Sequence, residues 1–143
     1  MTVNIVRKQV FVTYASTGTK RERTLIQNVL QILDSLDVEL VDRLDSADAM
    51  VIIRSGVSES AAFDAAYNVF AGPRVPMFLA SWKHAQSQAA VWRDLDRLCR
   101  TEYLIFDRPD ELRRPLAAFL EHVAGESRRR DRRMMRMMEH LVA

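Results

Sequence analysis

The chain has few of the residues that carry metal or redox chemistry. Its 143 residues include one cysteine, Cys99, so no intramolecular disulfide can form. Three histidines, His84, His122 and His140, share no metal-ligand spacing, and no metal site is expected. Long apolar runs are missing as well. Nothing approaches the roughly 18 residues needed to cross a bilayer, and Met1 to Gln9 lack the apolar centre of a signal peptide. The expected location is therefore the cytoplasm. An excess of one charge sign is also lacking, and a net charge of +2 gives no general attraction to nucleic acid. No internal repeat or low-complexity linker precedes Gly125.

What remains is the mixture of a globular domain: 48% hydrophobic and 28% charged residues, in a length that suits one core. Val10 to Tyr14 form a β-branched and aromatic run that stops at the turn formers Ser16, Thr17, Gly18 and Thr19, which predicts a strand and a loop. From about Lys20, Leu25, Ile26, Val29, Leu30, Leu33 and Leu36 make the stripe of an amphipathic helix. A short strand at Val38 to Val41 and a polar connection too short for a normal helix lead to Ala49-Met50-Val51-Ile52-Ile53. That run is continuously apolar, as in a parallel strand covered on both faces. Ser58 or Ser60 can cap a following helix whose apolar positions include Phe63, Tyr67, Val69 and Phe70 and which Gly72 and Pro73 stop. A strand at Val75 to Ala80, a helix from about Lys83 to Leu98, a strand at Tyr103 to Phe106 and a helix carrying Leu112, Leu116, Phe119, Leu120 and Val123 complete the series.

This alternation predicts an α/β domain over residues 8–124 with a flavodoxin-like, doubly wound, mainly parallel five-stranded sheet and helices on both faces. Ligands of such sheets bind beyond the carboxyl ends of the strands, where the strand order reverses. The loops at 14–19 and 54–61 are the places to look.

Three stretches carry a family resemblance: Ala47 to Ile53, Ser58 to Tyr67 and Val75 to Phe78, with Val10 to Ser16 and Phe106 to Leu112 in keeping. An Ala-Asp pair introduces a strand, a small-residue loop follows, a carboxylate precedes a small-aromatic pair on a helix, and a proline announces the next strand. The pattern resembles the nucleoside 2-deoxyribosyltransferase superfamily and its relatives with Toll/interleukin-1 receptor-type (TIR) folds, over roughly residues 8 to 123. The resemblance implies a nucleoside or nucleotide ligand and attack on, or exchange at, an N-glycosidic bond by a carboxylate. Asp64 occupies the nucleophile position, where the family has glutamate, and Glu59 is a second candidate acid. Tyr14, Ser16, Thr17, Gly18, Ser55, Ser58, Ser60 and Tyr67 are the candidate ligand-binding residues, the tyrosines as faces for a nucleobase. No cofactor is implied. A second reading of the same resemblance is a non-catalytic interaction protein in signalling or defence.

The first loop supports a different alternative. Tyr14-Ala15-Ser16-Thr17-Gly18-Thr19 is similar to the phosphate loop of flavodoxins, with Ser16, Thr17 and Thr19 as ligands of flavin mononucleotide (FMN) and Trp82 as the candidate ring partner. Receiver-type phosphotransfer is excluded, because Thr13, Tyr14, Arg54 and Ser55 stand where it needs acids. In residues 125–143, Met134, Met137, Met138 and Leu141 recur at helical spacing against six arginines. That segment is expected to be a helix lying on its own domain or making a homo-oligomer contact.

Overall fold

The computed structural model describes residues 7–56, 59–85 and 101–123, with the backbone alone at residues 59 and 60. The expected C-terminal helix and most of the helix expected after the fourth strand lie outside these residues. Lys83 and His84 form a turn.

Strand β1, Gln9–Ala15, leads into helix α1, Lys20–Ser35. Thr19 caps α1, accepting a hydrogen bond from the Glu22 N–H at 3.2 Å. Asp37 ends the turn after α1 at φ 59°, a left-handed conformation that aspartate tolerates better than most residues. Strand β2, Glu39–Val41, is followed only by a single 3₁₀ turn, Leu44–Ser46, before β3, Ala49–Arg54. Helix α2 spans Glu59–Phe70, β4 Met77–Trp82 and β5 Thr101–Phe106. A 3₁₀ turn at Pro109–Leu112 then opens into α3, Arg113–His122.

The five strands are all parallel in the order β2-β1-β3-β4-β5. The fold is therefore α/β with flavodoxin-like topology, and the strand order reverses between β1 and β3. Strand β3 sits at the centre with all six residues buried, as its unbroken apolar run implied. Alternation sends Val51 and Ile53 to one face, where Leu25, Val29 and Leu33 of α1 and Leu116 and Phe119 of α3 cover them. Met50 and Ile52 face α2 on the other side.

Two details depart from the sequence reading. Strand β4 starts at Met77 rather than Val75. Pro76 has no N–H for a central ladder, and the Asn68 amide takes over both backbone groups of Val75, accepting from its N–H and donating to its carbonyl at 2.9 Å each. Helix α2 packs through Ala61, Ala65 and Val69, which let it lie close to the sheet, while Phe63 and Phe70 are 70% and 68% exposed. The large apolar residues of this helix face outward. No helix among the described residues is long and apolar enough to cross a membrane.

Candidate functional site

The reversal of strand order brings the loops after β1 and β3 together, and a buried carboxylate ties them. Glu22, in the first turn of α1, is 4% exposed. It accepts hydrogen bonds from Ser16 Oγ at 2.9 Å, the Thr17 N–H at 2.9 Å, Thr19 Oγ1 at 2.8 Å, Ser55 Oγ at 2.9 Å and the Thr17 hydroxyl. Burial alone would raise its pKa. The hydrogen bonds from Thr17, Thr19 and Ser16 outweigh that effect and bring the carboxyl from 4.5 down to about 2. Gly56 closes over the group: a Cβ there would lie 2.8 Å from Glu22 Oε2 and 3.2 Å from the Thr17 nitrogen. The N–H groups of Ser55 and Gly56 both donate to the Ala15 carbonyl at 2.9 Å, which fixes the second loop against the end of β1.

This network corrects the flavin alternative. The hydroxyls of Ser16, Thr17 and Thr19 that an FMN phosphate would need are directed at an internal carboxylate. A phosphate brought there would meet a negative charge already holding the donors. Gly18 takes φ 84° at the loop tip, and its N–H donates to Ser16 Oγ at 3.1 Å, which keeps that hydroxyl aimed at Glu22.

Asp64 lies on the opposite face of the sheet. Its Oδ2 accepts a hydrogen bond of 2.7 Å from the Thr13 hydroxyl, and Thr13 is buried in β1 between Phe11 and Ala15, both of which pack on the α2 side. Alternation along β3 sends Arg54, its last residue, to this same face. Arg54 is 8% exposed and pairs in register with Ala15, and burial lowers the pKa of its guanidinium. Thr13, Arg54 and Asp64 thus belong to one face near the carboxyl ends of β1 and β3, a hydroxyl, a cation and a carboxylate at the position where this topology receives ligands.

The other predicted residues divide. Glu59 and Ser60 lie in the first turn of α2, while Ser58 is outside the described residues. Tyr14 is 43% exposed near the end of β1. Tyr67 does not join the site: it is a turn further along α2, and its hydroxyl donates to Asp45 in the connection before β3 at 2.8 Å, a bond that raises its pKa. Among the described residues, no group of three or more His, Cys, Asp or Glu side chains could hold a metal ion.

Glu22, Thr13 and Arg54 were missed from sequence. The signal for Glu22 was present as Thr19-Lys20-Arg21-Glu22, the Thr-x-x-Glu spacing of a capping box. A charged residue closing the otherwise apolar β3 was the sign for Arg54.

Fold and site define the class, a doubly wound α/β domain of flavodoxin-like strand order with polar and charged groups collected at its switch point. Among solved structures, the CMP N-glycosidase BcmB of Clostridium botulinum shares this fold, with a TM-score of 0.58 and 16% identity, covering 76% of this chain and 98% of that chain. No family model matches the chain, and no curated protein matches it in sequence.

Proposed function

We propose that the domain binds a nucleoside or nucleotide and acts on its N-glycosidic bond, with Asp64 as the carboxylate. The observation that carries the proposal is the 2.7 Å hydrogen bond from Thr13, which holds Asp64 against the end of β1 on the face that Arg54 shares. The family resemblance of residues 58–67 and the fold shared with a CMP N-glycosidase support the same chemistry. In this reading Asp64 adds to the anomeric carbon as the base departs with the electrons of the C–N bond. Water or a second base then attacks the anomeric carbon of the glycosyl ester, loses a proton, and returns the C–O bond electrons to the Asp64 carboxylate. Thr13 orients the carboxylate, and Arg54 supplies positive charge for a phosphorylated or polar part of the ligand. Glu22 stays ionised and holds the two loops in register, taking no part in bond breaking.

The experiment is incubation of the protein with nucleosides, nucleotides and nicotinamide dinucleotide, and chromatography for free base. Release by the parent and its loss in Asp64→Asn are expected. No release by the parent, together with unchanged ligand binding by Asp64→Ala, would sink the enzyme reading.

One observation favours a second reading, a non-catalytic relative used for protein interaction. Phe63, Tyr67 and Phe70 form a row at helical spacing on the outer side of α2, exposed by 70%, 43% and 68%. Among the described residues these rings belong to neither hydrophobic core cluster.

A further inference from the structure

A cleft opens on the face of the sheet away from Asp64, between the start of α1 and the segment after β5. Its volume is about 640 Å³, within the range of small-molecule sites. Trp82, the last residue of β4, forms part of its wall, with Leu25 and Pro109 adding apolar surface. The indole is fixed on several sides. Its N–H donates to the Asp107 carbonyl at 3.2 Å, His84 meets it edge-on at a centroid distance of 4.9 Å, and the Arg21 guanidinium lies 4.9 Å from the ring centroid.

Three cations, Lys20, Arg21 and Arg108, border this cleft, and none has a carboxylate within ion-pair distance among the described residues. One acid, Asp107, also lines the cleft. Asp107 sits 3.7 Å from His84, and the Glu111 carboxylate accepts from the backbone N–H groups of Asp107 and Arg108 at 3.2 and 3.4 Å. Stacking on Trp82 holds the Arg21 guanidinium in place before any ligand arrives, so less side-chain freedom is lost when its N–H groups bind an anion. Bordering cations and an apolar wall together match a ligand with a charged end and a flat or apolar body.

We propose that this cleft binds a small organic phosphate, with the phosphate on Lys20, Arg21 and Arg108 and the organic part against Leu25 and Pro109. The site is independent of the role assigned to Asp64, which lies across the sheet.

The test uses the full chain labelled with nitrogen-15, titrated with phenyl phosphate, inorganic phosphate and benzyl alcohol while the Trp82 indole N–H resonance is followed. Phenyl phosphate is expected to shift that resonance saturably and to bind at least about tenfold more tightly than either fragment. The exposed substitutions Arg21→Gln and Arg108→Gln together are expected to weaken it about tenfold or more. Charge reversal by Lys20→Glu should weaken it in the same direction, and Asp64→Asn should bind as the parent does. The proposal is overturned if no saturable shift occurs, if benzyl alcohol binds as well as phenyl phosphate, if the charge variants bind normally, or if Asp64→Asn abolishes binding. Tighter binding of a single-stranded oligonucleotide than of phenyl phosphate at equal phosphate concentration would also overturn it, because the ligand would then be a strand and not a small molecule.

Discussion

Replacing Glu22 by glutamine keeps the shape of the side chain and removes its charge. In the folded protein the carboxyl titrates near 2, against 4.5 for the ordinary group. At about 1.4 kcal/mol per pKa unit, that depression corresponds to roughly 3 kcal/mol of folding stability at neutral pH. Nearby water at the loop surface screens part of this interaction, so roughly 3 kcal/mol is the upper bound of the contribution. Because the folded pKa is the lower one, this contribution is complete above the unfolded value of 4.5 and is lost as pH falls toward 2. More than half is gone by about pH 3. Urea unfolding of parent and Glu22→Gln should therefore be run as a pH series. The parent is expected to be more stable by about 2–3 kcal/mol near pH 7, and the gap should close as the pH falls below about 4. Other titrating groups are common to both proteins and cancel in the difference. A gap that is equally wide at pH 7 and pH 3, or no gap at neutral pH, would refute the claim that the five donors hold an ionised carboxylate.

Three further outcomes follow from particular contacts. Asn68→Ala removes two amide hydrogen bonds from the buried backbone of Val75 and should cost about 1–3 kcal/mol in urea unfolding; a loss below about 0.5 kcal/mol would contradict the reading that this amide replaces a strand ladder. Gly56→Ala should destabilise by about 1–3 kcal/mol in the parent and by less in a Glu22→Ala background, since its Cβ would strike Glu22 Oε2; additive losses in a double-mutant cycle would rule that contact out. Phe63→Ser should change stability by no more than about 0.5 kcal/mol, whereas Phe119→Ala, at 0% exposure and 5.4 Å from the Phe78 ring, should lose about 3–5 kcal/mol; similar losses from the two would place Phe63 in the core.

The parts of the fold that were legible are those in which one residue type dominates a local pattern. Leu25, Ile26, Val29 and Leu33 mark the buried stripe of α1 because leucine, isoleucine and valine differ sharply from the Lys, Arg and Gln around them. The run from Ala49 to Ile53 announced a central strand because only a position covered on both faces tolerates such continuity. Helix α2 misled for the opposite reason. Its packing face is built from Ala61, Ala65 and Val69, and alanine is a weak marker beside phenylalanine, so hydrophobicity pointed at the wrong side. Close approach of helix to sheet favours small residues, and a scale of side-chain hydrophobicity does not register that. Asn68 carries no local sequence signal, since its two hydrogen bonds to Val75 depend on the turn that returns the chain to β4.

The site shows a similar division, and the reason bears on where a ligand can bind. Sequence pointed to the switch-point loops through topology and to Asp64 through a motif, because both are local to those segments. It could not reveal that the hydroxyls of the first loop converge on Glu22, since that carboxylate also recruits Ser55, 33 positions further along the chain. A loop that resembled a phosphate cradle is thus occupied by an anion of the protein's own. The donors already serve a buried charge, and releasing them would forfeit up to roughly 3 kcal/mol, the bound set by the depressed pKa. An anionic ligand is therefore better received on either side of the loops than within them. Arg54 is a buried cation on the Asp64 face, and Lys20, Arg21 and Arg108 border the cleft on the other. Filling the first loop from within the protein leaves the proposed glycosidic-bond site and the proposed anion cleft on opposite faces of one sheet.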